Sequence, residues 1–137
     1  MNFVERFKAR KMFDPVVMVE TSIPTLKLRV NRFVEAEHEV ARQHARKMLR
    51  EEGIDPSTAK PMELGAAYAM ALAVILARHV VGWEDSTGSL EYSKVAFEQM
   101  FAEMDANDRA VLALSYLGAV ADAEKKIVPT STDGAQG

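Results

Sequence analysis

Residues 66–77 read AAYAMALAVILA, an apolar run in which the hydroxyl of Tyr68 is the one polar side-chain group. A helix that is apolar on every side is expected to be buried on every side. The run therefore predicts a central helix. We expect this helix to continue to Val81 and to end at Gly82, because glycine is common just beyond a helix end. The fold class that follows is mainly α: a small helical bundle around a buried central helix.

The residues before this helix predict a short N-terminal β-hairpin and one amphipathic helix. Residues 16–19 and 26–30 are β-like, and the second segment alternates apolar with basic side chains. Between Asn31 and Gly53, apolar residues recur at helical spacing, which predicts a helix of about six turns that Gly53 ends. Pro61 suits the first turn of the central helix.

Two more helices are predicted after the central one. Ser93 is expected to cap the first of them, which carries Phe97 and its apolar neighbours on one face. Asn107 or Asp108 is expected to cap the last helix, since both side chains can accept a hydrogen bond from the first turn.

The chain of 137 residues is long enough for one core and divides into three parts. Residues 14–128 are predicted to form a single helical domain that includes the hairpin. Residues 1–13 contain three phenylalanines among basic residues and predict a basic arm or short helix. Residues 129–137 carry no apolar side chain larger than alanine and predict a disordered tail.

Charge is distributed unevenly along the chain, whose net charge is −3. Residues 1–50 carry 11 Lys and Arg against 6 Asp and Glu, whereas residues 51–137 carry 6 against 14. The opposite signs either cancel within one fold or steer one copy onto another. The apolar run of 12 residues falls short of the roughly 20 that a membrane span needs, so no membrane partner is expected.

No set of residues is arranged for catalysis or for metal binding. The absence of cysteine excludes disulfides and thiolate metal sites. Glu35 and His38 have the Glu-x-x-His spacing of carboxylate-bridged metal centres, but such a centre needs a second pair, and neither His44 nor His79 follows a glutamate at that spacing. There is no Gly-x-Ser-x-Gly motif and no glycine-rich phosphate loop. We therefore expect no enzyme activity, no cofactor and no metal.

Arginines recur along one flank of the first predicted helix, at Arg42, Arg46 and Arg50. Such a flank can bind nucleic acid phosphates. However, the sequence pI is about 5.6, and the same helix also carries Glu35, Glu37 and Glu39. The arginines are better interpreted as one electrostatic edge of a contact between protein subunits. Nucleic acid stays a less favoured partner.

From Arg32 onwards, the order of features resembles the tail assembly chaperones of long-tailed, lambda-like (siphovirus) bacteriophages. In that family a charged helix leads into an Ala-rich helix, then Gly-Trp, an acidic turn with glycine, and a Tyr/Phe-Ser step into the next helix. Here residues 66–81, 82–88 and 90–93 follow that order. The resemblance spans about residues 16–126.

The resemblance implies a non-enzymatic protein that self-associates, coats the tape measure protein and recruits tail tube subunits. It implies a location in the host cytoplasm, absence from the mature virion, and a possible longer form made by ribosomal frameshifting near Lys125. Trp83 and Glu84 are the protein-binding residues that it indicates, although Trp83 alone is also typical of a hydrophobic cap beyond a helix.

Two alternatives from other classes remain open at this stage. One is a head–tail connector or minor tail protein that is retained in the virion. The other is a small nucleic-acid-binding regulator, which the basic first half of the chain allows.

Overall fold

The structure is a computed structural model that describes residues 15–125. The predicted N-terminal arm (1–13) and C-terminal tail (129–137) lie outside the described residues. Within them the order is β1 (Val16–Glu20), β2 (Leu26–Asn31), α1 (Glu35–Glu51), α2 (Pro61–Ala77), β3 (Val80–Asp85), α3 (Lys94–Glu103) and α4 (Ala106–Lys125). A mainly α fold with an N-terminal hairpin is therefore confirmed at this level.

The hairpin forms where the alternating pattern predicts it. Leu26, Leu28 and Val30 of β2 are buried, and the basic residues between them point to solvent. The turn is closed by buried Thr21, whose hydroxyl accepts the N–H of Ile23 at 3.1 Å and donates to the carbonyl of Leu26 at 2.9 Å. This hydroxyl satisfies backbone groups that the turn would otherwise leave unpaired.

The predicted extension of the central helix to Gly82 is wrong. Helix α2 ends at Ala77, and β3 pairs antiparallel with β2 to give a three-stranded sheet in the order β1-β2-β3. The β-branched pair Val80 and Val81 suits a strand better than a helix. Strand β2 also offers backbone groups that a helix could not satisfy, and Asn31 donates its N–H to the carbonyl of His79 at 2.9 Å.

Gly82 therefore serves as a strand residue, not as a helix cap. Its φ is not positive, and a Cβ there would lie 3.5 Å from Cδ of Arg29, an ordinary contact. We expect Gly82→Ala to change the free energy of unfolding by less than about 0.5 kcal/mol. Gly53→Ala is the matched control, because Gly53 has a φ of 80° and open space around it. That control is expected to lose about 1 kcal/mol or more. Urea unfolding of both variants measures this, and a larger loss at Gly82 would contradict the strand assignment.

The first helix is shorter at its start than predicted. Helix α1 has 17 residues, or fewer than five turns, because Asn31 completes β2 and the helix begins only at Glu35. Its predicted end at Gly53 is confirmed. The N–H of Gly53 bonds to the carbonyl of Arg50 at 3.0 Å, and the N–H of Ile54 bonds to that of Leu49 at 2.9 Å.

The two caps after β3 have different outcomes. Ser93 caps α3 as predicted, since its Oγ accepts the N–H of Ala96 at 3.0 Å. The predicted cap of α4 is wrong by two or three residues. Asp105 is the cap, and its carboxylate accepts the N–H of Asp108 at 2.8 Å, while the carboxylate of Asp108 accepts the N–H of Asp105 at 3.1 Å. This reciprocal pair resembles a capping box, in which the third helical residue reaches back.

The core lies between the sheet and helices α1, α2 and α4. Helix α2 packs against α1 and α4, and α4 also packs against β1. Seven residues of α2 are buried, but Met62, Leu64 and Val74 are 84%, 37% and 38% exposed. Within residues 66–77 only Ala66 and Val74 are exposed, so the predicted run is buried on most sides, whereas the first turns of α2 are more open. None of the helices in residues 15–125 is both long and apolar enough to cross a membrane.

Candidate functional site

One groove among the described residues lies where the end of α2 and the start of β3 face α3. It has a volume of about 460 Å³. We call it the α2–α3 groove, and its lining residues are Ala77, Arg78, Val80, Tyr92, Lys94, Phe97, Glu98, Phe101 and Ala102. Its lining is largely apolar and partly aromatic, and its charged residues are two cations, Arg78 and Lys94, and one carboxylate, Glu98. Grooves of this composition are typical binding surfaces for amphipathic partners.

Trp83 supports one wall of this groove through Tyr92. The two rings meet edge to face with centroids 5.2 Å apart, and the hydroxyl of Tyr92 donates to the carbonyl of Val80 at 3.4 Å. The indole N–H of Trp83 donates to the carbonyl of Leu90 at 3.0 Å. The indole is half-buried, and its polar edge is already paired. Trp83 therefore acts by holding Tyr92 in place.

The turn after β3 is held by hydrogen bonds to the Asp85 carboxylate, which fix the position of Leu90. The Asp85 carboxylate accepts the hydroxyl and N–H of Thr87, the N–H of Ser89 at 3.2 Å and the N–H of Leu90 at 3.0 Å. The hydrogen bonds from Thr87, and then those from Leu90 and Ser89, hold the pKa of Asp85 below its usual range. Several donors on one carboxylate make this acidic turn a defined support for the Trp83 side chain.

The opposite wall belongs to α3, which α4 holds in place. The guanidinium of Arg109 lies 4.2 Å from the centroid of the Phe101 ring and donates to the Phe101 carbonyl at 3.1 Å. Phe97 is 3% exposed, and its ring centroid is 5.9 Å from that of Phe101. These contacts set the aromatic floor of the groove before any partner binds.

Glu84, the other residue that the resemblance indicates, lies on the outward face of the sheet. Its carboxylate forms an ion pair with Arg29 at 2.7 Å, and both side chains are about half exposed. The pair joins β3 to β2, and the side chain of Arg29 also covers Gly82. An exposed pair of this kind contributes little to stability. Its charges remain accessible to a protein partner.

The predicted arginine edge lies on α1. Arg42 is bonded to the carboxylates of Glu35 at 2.8 Å and Glu39 at 3.0 Å, and Arg46 lies 3.8 Å from Glu39. The hydrogen bonds that Arg42 donates to Glu35, and then to Glu39, raise the pKa of Arg42. Much of the positive charge on this flank is therefore compensated within α1. Arg50 lies one turn further along the helix.

Two of these arginines also line a second groove, between α1 and α2. This groove has a volume of about 250 Å³, and Leu64 and Tyr68 form its apolar side. Tyr68 shares a hydrogen bond of 3.0 Å with Nδ1 of His38, and burial raises its pKa. The arginines lie on α1, whereas Trp83 and Glu84 lie on β3, so the predicted residues belong to two different elements.

The sequence pattern missed the two cations of the α2–α3 groove. Arg78 closes α2 and Lys94 opens α3, so no helical or strand spacing relates them. Arg78 and Lys94 line the same groove because β3, which lies between them in the chain, runs antiparallel along β2. Only the aromatic floor had a signal, since Phe97 and Phe101 share one helical face.

Comparison with known proteins finds no matching family model, no matching curated protein and no matching solved structure. Among residues 15–125 there is also no group of three His, Asp or Glu side chains placed to hold a metal ion.

Proposed function

We propose that this protein is a non-enzymatic tail assembly chaperone of a lambda-like phage. In this role it self-associates, coats the tape measure protein and recruits tail tube subunits in the host cytoplasm. It then leaves before the virion is complete. A longer frameshifted form, continuing beyond the region of Lys125, belongs to the same proposal.

One observation carries the proposal. The segment that resembles the family, from the Ala-rich run to Phe97, builds much of an open groove with aromatic residues and with two cations against one carboxylate, Glu98. A preformed apolar groove flanked by Arg78 and Lys94 suits an amphipathic helix that carries acidic residues beside its apolar face. Tape measure proteins are long and helical, so many copies of one such site could line up along them. Weak individual contacts then add by avidity.

The same proposal gives a role to the exposed apolar residues of α2. Met62, Leu64 and Val74 are large apolar side chains that the described residues leave exposed. We propose that other copies or the tape measure protein cover them, so that α2 becomes a buried central helix only in the assembled complex. Methionine suits such a surface because its flexible side chain adapts to different partners.

A groove variant tests partner binding. The tape measure protein is produced as helical fragments, and the affinity of each for this protein is measured by calorimetry. Ala102→Trp fills the groove and Lys94→Glu reverses its rim, and we expect each to weaken binding of the preferred fragment at least about tenfold. Lys47→Glu makes the same charge change on an exposed part of α1 and is expected to bind normally. Equal affinity of all variants would contradict the assignment of the groove.

Mass spectrometry of purified virions separates the proposal from its main alternative. A chaperone is expected to be absent from the particle, whereas a connector or minor tail protein is present in fixed stoichiometry.

The compensated charges of Arg42 and Arg46 disfavour the nucleic-acid-binding alternative. Clear retardation of DNA or RNA at low salt would restore it.

A further inference from the structure

A third groove among the described residues lies beside the end of α1 and the first half of α2. It has a volume of about 280 Å³. Its apolar lining includes Met48, Ile54 and Met70, and its charged lining residues are two carboxylates, Glu52 and Glu63. We call it the Met48–Met70 groove. Of the three grooves described, it is the one whose charged lining residues are all acidic.

The fold fixes the acidic rim of this groove. Glu63 accepts the backbone N–H of Lys60 at 2.9 Å, which holds its carboxylate at the start of α2. Glu52 directly follows α1 and is exposed. The other charged residues between positions 47 and 63 are three cations and two carboxylates, and none of them lines the groove: Lys47, Arg50, Lys60, Glu51 and Asp55. The charge at the groove is therefore negative.

The apolar lining favours an aromatic side chain. Met48 and Met70 are both half-buried, so each packs on the core and still faces the groove. A thioether sulfur makes favourable contacts with the edge of an aromatic ring, and the unbranched methionine side chain adapts to the shape of what it meets. The group that fits this site is an aromatic ring with positive charges on either side of it.

Residues 1–14 carry this combination, although they lie outside the described residues. They contain four cations against two carboxylates, together with three phenylalanines. Phe7 is the phenylalanine that has a cation on each side, Arg6 and Lys8. The chain therefore contains a segment whose charge and aromatic content complement its own groove.

We infer that the Phe7 ring occupies the Met48–Met70 groove of the same chain, with the two neighbouring cations beside the carboxylates of the rim. The ring removes the methionine side chains from water, and the cations meet charge of opposite sign. A tethered segment meets its own groove at an effective concentration of about 1 mM, which exceeds the concentration of other copies in dilute protein. This surface is separate from the groove that the proposed function uses.

The length of the segment allows this contact. Pro15 accepts the backbone N–H of Arg32 at 2.7 Å, so the described chain begins beside the residues that lead into α1. From Glu35, the first residue of α1, to Met48 is about 20 Å along the helix axis. The eight residue steps from Phe7 to Pro15 span up to about 26 Å when extended.

Photochemical cross-linking tests the position of Phe7. A benzophenone-bearing phenylalanine analogue replaces Phe7 in the full chain, and the cross-linked peptides are identified by mass spectrometry in dilute protein. We expect cross-links to Met48 or Met70 within one chain. Benzophenone reacts readily with any methionine that it meets, so Met62, which is 84% exposed, is the internal control for random collision. Labelling of Met62 at least equal to that of Met48 and Met70 would overturn the inference. Cross-links that join two chains would also overturn it and assign the groove to the segment of a second copy.

Reversing one charge of the rim tests the role of the carboxylates. We expect Glu52→Lys to lower the yield of the Met48 and Met70 cross-links at least about threefold, because attraction of the cations becomes repulsion. Glu51→Lys makes the same change at the neighbouring exposed position, which does not line the groove, and should leave the yield unchanged. Equal yields from the two variants would contradict the electrostatic part of the inference.

Proteolysis tests the contact without a modified residue. Trypsin cleaves after Arg10 only when the segment has left the groove, so the cleavage rate follows the open population. Phe7→Ala is expected to raise this rate at least about fivefold, because the ring no longer holds the segment in place. Phe3→Ala removes the same side chain from the same segment and should change the rate less than about twofold. Equal rates for Phe7→Ala and the natural chain would overturn the inference.

Discussion

Replacing Tyr116 with alanine is expected to lower the free energy of unfolding by about 3–5 kcal/mol, the range for removing a buried aromatic side chain. Tyr116 is 0% exposed and stacks on Phe33, with ring centroids 4.4 Å apart and an angle of 5° between the planes. Phe33 in turn lies against the rings of His38 and His79. The tyrosine therefore ties α4 to the junction where β2 passes into α1, and its loss leaves a cavity among three elements.

Tyr116→Phe separates the hydroxyl from the ring. The Tyr116 hydroxyl accepts the backbone N–H of Phe33 at 3.1 Å in a buried setting. Removing it leaves that N–H without its acceptor, which is expected to cost about 1–3 kcal/mol. Tyr92→Phe removes a half-buried hydroxyl with a longer bond of 3.4 Å to a carbonyl and should cost less than about 0.5 kcal/mol. Urea unfolding compares the three variants, and equal effects of the two phenylalanine variants would show that the buried bond is not made.

The contact between Phe33 and Tyr116 marks a limit of reasoning from sequence. The two residues are 83 positions apart, with Phe33 in the connection between β2 and α1 and Tyr116 inside α4. Local spacing shows that Tyr116 shares a face with Leu112, but it does not show which residue on another element receives the hydroxyl. Local signals gave the β2 alternation, the Ser93 cap and the Gly53 helix end, because each depends on neighbours within a few residues.

The prediction of where α2 ends was wrong for a related reason. The apolar run through Val81 is consistent with either a helix or a buried strand, and periodicity alone does not distinguish them. What distinguishes them is β2, whose second edge would otherwise carry unpaired backbone groups. The α2–α3 groove exists only because of that strand, so its aromatic floor could be predicted while its basic rim could not.

The alanine content of α2 limits the apolar area that its exposed residues leave in water. An exposed alanine presents a single methyl group, so it leaves little apolar area in water. Ala66 is exposed at small cost, whereas Leu72 and Leu76 on the inner side are 0% exposed. A run that is uniformly apolar by residue type is thus not uniformly buried.

Leu72→Ala tests this difference in burial. It is expected to lower the free energy of unfolding by about 2–5 kcal/mol, because removing the buried leucine side chain loses its contacts and leaves a cavity. Val74→Ala is the control on the same helix. Val74 is 38% exposed, and alanine is the better helix former, so a change within about 0.5 kcal/mol is expected. Thermal or urea unfolding at low protein concentration measures both. Equal losses in the dilute protein would contradict the different burial of Leu72 and Val74.

Protein concentration makes the same pair of variants informative about assembly. A partner that binds only the folded chain adds stability that grows with its concentration. If other copies cover Val74, the loss of unfolding free energy in Val74→Ala should rise with protein concentration. The loss in Leu72→Ala should stay constant, because the Leu72 side chain is already buried within one copy. A Val74 effect that does not change with concentration would instead assign that side of α2 to the tape measure protein.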